Sequence, residues 1–418
     1  MSCICKKKSE NGGWERQING ISNNEKAVLL LEKRTFKELL VDMELRNLQN
    51  NIVGQEASRL FARAEINMGV EAFRDSLYSL LKRNTFLNIK FENMLDTLGE
   101  ISRTGIRSLL GEWEKTTPLP FYSLGEPTLT KITNKGGEEF FVLKMLISNN
   151  SDYDGIIHMD IRKDGWWYQP LEDPRAKTKI EMPAHTSKEF VSVWEDQIRN
   201  VEINTMVSGN LPNIISQDIN NVKQERNKIV KDSIYILPES SFDLPGEIIV
   251  DNEDSTLFIL SAPPIVGLLP KWLDEVEETP FKYSGISWWR PPLQWTATTN
   301  DRYYGKYIRS AFVIKSGDGS QTAIWKVPVP EVGQYDLYYH VFKDDELRWN
   351  NNLQGEYHFK VKYGSEVEDA YVNLRKANEG WEQLGSYYFD SDTIRVVLTD
   401  ECKLRSVTAD AVKIVKRY

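Results

Sequence analysis

Between residues 24 and 115 the hydrophobic positions recur three or four residues apart, which is the period of an amphipathic helix. In the stretch SRLFARAEINMGVEAFRDSLYSLLKR the apolar stripe is interrupted at Gly69, where one helix can end and the next can begin. A further stripe ends at Trp113, shortly before two prolines. The pattern therefore predicts a helical domain over residues 23–120, preceded by a disordered N-terminus over residues 1–22.

After residue 120 the apolar and polar residues alternate with a period of two, which is typical of β-strands. Runs such as EEFFVLKMLISN and EFVSVWED, separated by turn residues, predict a central antiparallel β-sandwich over residues 121–260. Residues 261–294 are rich in Pro and Trp and are predicted to form an ordered connector. Short, evenly spaced strands in residues 295–418 predict a C-terminal jelly-roll-like β-sandwich, and residues 290–418 are expected to fold alone. The expected fold class is multidomain, α plus all-β.

The composition is that of a folded protein, with 40% hydrophobic and 27% charged residues. A formal net charge of −9 repels phosphate backbones, so nucleic acid is not expected as a partner. The three cysteines, Cys3, Cys5 and Cys402, are too few and too poorly spaced for a disulfide framework.

Neither a signal peptide nor a transmembrane segment is predicted. The opening MSCICKKKSENGG is not followed by an apolar stretch of the kind that signal peptides contain. The most apolar run, residues 256–273, contains three prolines, which disfavour a membrane-spanning helix. The compartment is left open, with a periplasmic or cell-surface location expected if the chain belongs to an exported protein.

The C-terminal strands carry motifs that resemble a known family. The stretches TNDRYYGKYIRSA, GDGSQTAIWKVPVPEVGQYDLYYHV, EYHFKVKYG, GWEQLGSYYF and TADAVKIVK all lie within residues 295–418. Together they resemble the golvesin C-terminal domain, also called the xanthan-lyase-type carbohydrate-binding-like domain. The resemblance implies a jelly-roll sandwich that accompanies secreted or cell-surface catalytic domains, with glycan binding as the expected activity and no particular glycan implied.

Large aromatic residues are the candidate functional groups of this region. Trp325 and Trp381 lie in predicted strands, and we predict that they are structural anchors, with an exposed sugar platform as the alternative. The alternation predicts one inward-facing row that includes Tyr387 and Phe389, with Trp381 at the end of that row. The candidate ligand-binding aromatics lie in turn-rich sequence and are Trp288, Trp289, Trp295, Tyr303, Tyr304 and Trp349. Packing between domains is the alternative explanation for these six residues.

The helical region carries a second resemblance. The stretches SRLFARAEINMGVEAFRDSLYSLLKRNTFLNIKFENML and IRSLLGEWEKTTPLPFYSL are similar to the helical segment after the active site in aminopeptidase-N-like gluzincin metallopeptidases, and the resemblance covers residues 25–125. Residues 126–260 would then correspond to their β-sandwich domain. Those enzymes bind zinc through a His-Glu-x-x-His motif, which this sequence lacks. We therefore predict no catalytic residue, no metal ligand and no cofactor, with zinc expected only if the missing segment is supplied elsewhere.

Three functions stay open on this evidence. The first is a noncatalytic C-terminal portion of a metallopeptidase-like protein, ending in a glycan- or surface-binding β-module whose partner is a surface polysaccharide or a peptidase. The second is part of an active zinc aminopeptidase whose catalytic helix lies upstream or on another chain. The third is a freestanding carbohydrate-binding protein.

Overall fold

The chain forms two compact units, a middle unit of residues 23–242 and a C-terminal unit of residues 243–418 together with residues 1–22. α-Helices and β-sheets make up the middle unit, and the described part of the C-terminal unit is almost entirely β-sheet. The computed structural model describes residues 16, 18–85, 88, 90–102, 114–133, 136–163, 169–226, 230–238, 242, 246–261, 281–287, 289–343 and 355–417.

The helices of the middle unit begin and end at residues with a clear local cause. Thr35 caps a short helix by accepting a hydrogen bond from the Glu38 N–H, and the Glu38 carboxylate accepts one from the Thr35 N–H. Gly69, with a φ of 84°, separates two long helices, as the sequence pattern predicts. The stripe predicted to end at Trp113 lies outside the described residues. The helices are α1 (Asn23–Lys33), α2 (Phe36–Val41), α3 (Gln49–Met68), α4 (Val70–Arg83) and α5 (Phe91–Ser102).

The strands of the middle unit form two sheets that share one core. They are β1 (Tyr122–Leu124), β2 (Thr128–Thr133), β3 (Glu139–Asn149), β4 (Gly155–Lys163), β5 (Gln169–Pro170), β6 (Lys177–Met182), β7 (Thr186–Trp194), β8 (Ile198–Asn204), β9 (Ile214–Asp218), β10 (Val222–Arg226) and β11 (Ser233–Pro238). One sheet has the order β10-β2-β3-β7-β11, with β1 beside β3, and the other has the order β5-β4-β8-β9, with β6 beside β4. Buried residues of both sheets, such as Leu143 of β3 and Met159 of β4, belong to one hydrophobic cluster.

The C-terminal unit contains three antiparallel sheets around a second core. Its strands are β12 (Glu247–Val250), β13 (Phe258–Ser261), β14 (Thr296–Thr299), β15 (Ser310–Lys315), β16 (Thr322–Pro328), β17 (Gly333–Val341), β18 (Glu356–Tyr363), β19 (Glu366–Asn373), β20 (Gly380–Phe389), β21 (Thr393–Thr399), β22 (Ser406–Ala409) and β23 (Val412–Lys416). The sheet orders are β12-β23-β17-β20, β13-β16-β21-β18-β19 and β14-β15-β22. Side chains from all three sheets pack in one hydrophobic cluster.

The beginning of the C-terminal unit differs from the predicted boundary near residue 260. β12 and β13 fall within the range predicted for the central domain, but β12 pairs with β23 and β13 pairs with β16. Val250 of β12 and Phe258 of β13 belong to the C-terminal core. An alternating pattern identifies a strand without identifying its partner, so this long-range pairing was not predictable from the pattern.

Part of the stretch predicted to be disordered is folded into the C-terminal unit. The Gly20 N–H donates a helix-like hydrogen bond to the Arg16 carbonyl at 2.7 Å. The Thr299 hydroxyl in turn donates to the Gly20 carbonyl at 2.6 Å. Residues 1–15 and residue 17, for which disorder was also predicted, lie outside the described residues.

The predicted fold class is confirmed at the level of N-terminal helices followed by several antiparallel sheets. The central region differs from the purely antiparallel prediction, because β10 pairs with β2 in parallel. The finer assignment of the two β-regions to a sandwich and a jelly roll stays a prediction. Within the ranges given above, no helix is long and apolar enough to cross a membrane.

Candidate functional site

Trp289 is the most exposed large hydrophobic side chain that the structure describes, with 82% of its surface accessible. It lies in a tight turn in which the Arg290 N–H donates to the Ser287 carbonyl at 3.0 Å. After the turn, the Lys315 N–H at the end of β15 donates to the Pro292 carbonyl at 2.7 Å. These backbone hydrogen bonds attach the Trp289 segment to the end of β15, the middle strand of its sheet, so the exposed indole is carried on a well-supported loop.

The guanidinium of Arg405 lies 5.1 Å from the centre of the Trp289 ring, which is the geometry of a cation–π contact. Arg405 immediately precedes β22, and its carbonyl accepts a hydrogen bond from the Ser316 N–H at 3.0 Å. Because so much of the indole is exposed, the ring face opposite the guanidinium is open to solvent. We call these two side chains the Trp289–Arg405 site.

A second aromatic group lies on the outer face of the sheet that contains β17 and β20. Trp381 pairs across the strands with His340, and their ring centres are 5.2 Å apart. Tyr304, from the loop after β14, lies 5.0 Å from the Trp381 ring. The Lys413 ammonium, on β23, lies 4.9 Å from the centre of the Trp381 ring. We call these four residues the outer-face cluster.

A β-bulge explains why Trp381 lies on the outer face. Leu337 pairs with Gly385 but the next residue, Tyr338, pairs with Gln383, so Leu384 is an extra residue in β20. The predicted alternation placed Trp381 in the same inward row as Tyr387. The extra residue reverses the alternation, and Trp381 is half-buried on the outside while Tyr387 is buried inside. The predicted inward position of Trp381 is therefore corrected, whereas its role as an anchor stays a prediction.

A buried carboxylate supports the outer-face cluster. Asp410 has no solvent exposure, and its carboxylate lies 2.9 Å from His340 Nδ1. Both carboxylate oxygens of Asp410 accept from the Tyr304 N–H, each at 3.2 Å. Burial raises the pKa of Asp410 above its ordinary value, although the neighbouring His340 and the Tyr304 N–H act in the opposite direction. Since the His340 side chain is itself only 13% exposed, this cluster is mainly an internal packing arrangement.

The other predicted aromatics have three different environments. Tyr303 is buried with its ring 4.6 Å from that of Phe342, and Trp295 is half-buried against the core, so neither offers an open ring face. Trp325 is fully buried, and its indole N–H donates to the Asp410 carbonyl at 3.2 Å. Trp288 and Trp349 lie outside the described residues.

Sequence reasoning selected Trp289 and Tyr304 but missed Arg405, His340 and Asp410. The outward positions of β17 place His340 in a row of polar and aromatic residues, and that alternation was a usable signal. No local pattern marks Arg405, because it meets Trp289 only through the pairing of distant segments. In the described parts of the chain, no group of three or more His, Cys, Asp or Glu side chains is arranged to hold a metal ion.

Comparison with solved structures found several weak likenesses. A Paenibacillus xanthan lyase is 15% identical with a TM-score of 0.29, and the match covers 72% of this chain but only 27% of the lyase. TmCBM61 in complex with β-1,4-galactotriose is 15% identical with a TM-score of 0.17, over 29% of this chain and 77% of that one. A Bacteroides uniformis β-glucuronidase is 12% identical with a TM-score of 0.21, over 76% of this chain and 32% of the enzyme.

Comparisons at the level of sequence are more specific for the C-terminal region. A search of curated proteins found no match. The resemblance of the helical region to aminopeptidase-N-like metallopeptidases finds no support in these comparisons. Residues 291–416 match the family model of the Golvesin C-terminal domain, which confirms the predicted resemblance for that segment of the chain.

Proposed function

We propose that the C-terminal unit is a noncatalytic glycan-binding module and that Trp289 is its stacking residue. The observation that carries the proposal is the 82% exposure of the Trp289 side chain on a hydrogen-bonded turn. An indole face held open on a supported turn offers apolar area that a ligand can cover with a gain in free energy. A sugar ring suits the open face, because its C–H groups pack against an aromatic ring while its hydroxyls stay hydrated.

The outer-face cluster fits a supporting role better than a binding role. His340 and Lys413 are 13% and 12% exposed, and the Lys413 ammonium is paired with Glu247 at 2.9 Å. A ligand would have to displace contacts that the folded unit already uses. At the Trp289–Arg405 site, a ligand can reach the open ring face of Trp289 without displacing such contacts.

The test is retardation of the full chain in native gels that contain soluble β-1,4-galactan, xanthan or dextran. We expect at least one polysaccharide to slow the protein, and Trp289→Ala to abolish the effect without changing the melting temperature. Tyr388→Ala is the matched control, since Tyr388 is a 60% exposed aromatic residue on β20. Mobility that none of the three polysaccharides changes, or equal retardation of Trp289→Ala and the native chain, would contradict the proposal.

The proposal includes the absence of peptidase activity. Its basis is the sequence, which has only four histidines and no His-Glu-x-x-His motif to hold zinc and activate water. We expect the purified chain to leave aminoacyl anilides intact in the presence of zinc. Hydrolysis that a chelator abolishes would reject this part of the proposal, and co-purification of a protein with that motif would instead support a peptidase partner.

A further inference from the structure

The outer face of the sheet β13-β16-β21-β18-β19 carries a row of three cations. Arg395 of β21 lies directly opposite Lys326 of β16 on one side and Lys362 of β18 on the other. Residues directly opposite each other in an antiparallel pair point to the same face of the sheet. That face is the outer one, because Ile394 and Val396, on either side of Arg395, are fully buried. We call these three residues the cationic row.

The side chains of the cationic row have no counter-charge in the part of the chain that the structure describes. None of the three forms a hydrogen bond or an ion pair with a described residue, and this includes Asp392, the acidic residue nearest to Arg395 along the chain. Like charges directly opposite each other on strands about 4.8 Å apart destabilise a sheet. Since the formal net charge of the chain is −9, carboxylates are in excess, and yet none is paired with the row. An anionic ligand would relieve this repulsion.

Other charged residues on the same face do not neutralise the row. Asp369 of β19 pairs with His358 at 2.7 Å. Glu356 is the first residue of β18 and lies about 20 Å along the strand from Lys362. Lys360, opposite Asp369, adds a fourth cation to the face. The face is therefore positively charged around the row.

We propose that the cationic row binds a linear polysaccharide whose sugar residues carry carboxylate or sulfate groups. Three cations at the spacing of adjacent strands suit a ligand whose negative charges repeat along a line. Arg395 in the centre has a planar fork of N–H donors that binds an oxyanion at two points, and the lysine on each side adds a point charge. This activity goes beyond the proposed stacking on Trp289 and does not depend on that residue.

Other polyanions fit the face less well. The strands β16, β21 and β18 lie inside the sheet, so their backbone N–H and C=O groups are used by neighbouring strands. An extended acidic peptide binds mainly through such groups at a sheet edge, whereas this face offers side chains. Duplex nucleic acid carries about one charge per 1.7 Å, and a net charge of −9 repels it strongly. A polysaccharide with one charge per sugar, which needs only side-chain donors, is the ligand that the face favours.

The test is titration calorimetry of the full chain with oligogalacturonides and with their methyl esters, which share a sugar backbone and differ in charge. At low salt we expect the oligogalacturonide to bind at least about tenfold more tightly than the ester, and added salt to reduce the difference. Sulfated dextran oligosaccharides, as a second arm, identify the preferred oxyanion. Equal or tighter binding of an oligoglutamate of similar length would reject polysaccharide as the ligand class.

Arg395→Gln is the decisive variant, and Lys376→Gln is its control. Lys376 is exposed in the turn after β19, at the end of the sheet away from Lys362, and each variant removes one positive charge. We expect Arg395→Gln to lose about tenfold in affinity for the oligogalacturonide, and Lys376→Gln to bind like the native chain. Arg395→Lys keeps the charge without the planar fork and should recover only part of the loss. Because Arg395→Gln relieves repulsion within the row, its melting temperature should stay the same or rise.

The outcomes test this inference separately from the proposed function. If the oligogalacturonide does not bind, or binds no more tightly than its ester, the inference is wrong. Equal losses in Arg395→Gln and Lys376→Gln would show a general charge effect and would reject the site. A lower melting temperature of Arg395→Gln would make the row a packing feature and would also reject it. Binding at Trp289 is measured with the neutral polymers β-1,4-galactan and dextran, so either proposal can fail while the other stands.

Discussion

The buried carboxylate of Asp410 lies 2.9 Å from His340 Nδ1, and the two residues come from different segments of the same sheet region, the loop before β23 and the strand β17. The same carboxylate accepts from the Tyr304 N–H, so one side chain fixes both a strand residue and a loop. Replacement of a buried ionisable group that has several specific partners costs stability, because the partners then stay buried without a hydrogen bond or an opposite charge.

Replacement of Asp410 by Ala should strongly destabilise the C-terminal unit. Removal of one partner from a buried pair leaves the other buried without its hydrogen bond, at a cost of about 3 to 5 kcal/mol. Urea unfolding followed by tryptophan fluorescence measures the change. Asp369→Ala is the control, because Asp369 pairs with His358 at 2.7 Å while 55% exposed, and an exposed pair contributes about 0 to 1 kcal/mol. Equal effects of the two substitutions would contradict a special role for Asp410.

Asp251 should make the protein less stable as the pH rises. Burial, and next the negative charge of Asp410, raise the pKa of Asp251 well above its ordinary value. A carboxyl group whose pKa is higher in the folded than in the unfolded state favours the folded state most when it is protonated. Its contribution is therefore lost as the pH rises from the unfolded pKa, about 3.9, through the folded pKa.

We expect Asp251→Asn to raise the free energy of unfolding at pH 7 by about 1 to 3 kcal/mol and to have little effect near pH 3. Urea midpoints measured between pH 3 and pH 8 give the comparison. Asp318→Asn is a control of opposite sign, because hydrogen bonds from Ser320 lower the pKa of Asp318, so its stabilising effect is present at neutral pH and lost as the pH falls. A pH profile of Asp251→Asn parallel to that of the native chain would refute the assignment.

The two tryptophans predicted as anchors should differ in their contribution to stability. Trp325 is fully buried and lies 5.4 Å from the Phe258 ring in the core, so Trp325→Ala should cost about 3 to 5 kcal/mol. Trp381 is half-buried on the outer face, and Trp381→Ala should cost about half as much. Thermal unfolding ranks the two variants, with Trp289→Ala as the exposed reference. A Trp381→Ala variant less stable than Trp325→Ala would make Trp381 the main anchor.

Independent folding of the C-terminal region should require residues before 290. The sequence predicts that residues 290–418 fold alone, but Phe258 of β13 packs 5.5 Å from Phe312 and pairs across the strands with Trp325. A chain of residues 243–418 retains β12 and β13 and should unfold cooperatively at a higher temperature than one of residues 290–418. Calorimetry of both chains is the measurement, and identical transitions would show that these strands are dispensable.

The sequence was informative where the cause of a structure is local. Gly69 breaks the helical stripe because glycine reaches a positive φ without strain, and Trp325 is buried because its strand alternates regularly. Trp381 was placed on the wrong face because a single extra residue, Leu384, reverses the alternation without changing the apolar pattern. The contact between Trp289 and Arg405 depends on which distant segments pair, and no local pattern specifies that choice.

The C-terminal unit is discontinuous in sequence, because the Thr299 hydroxyl holds the Gly20 carbonyl while residues 23–242 form a unit of their own. During synthesis on the ribosome, residues 16–22 therefore leave the exit tunnel long before their partner strand exists. The middle unit can complete its fold in that interval, since domains generally fold as they emerge. The C-terminal unit must therefore assemble afterwards, when residues 243–418 have been synthesised and can contact residues 16–22.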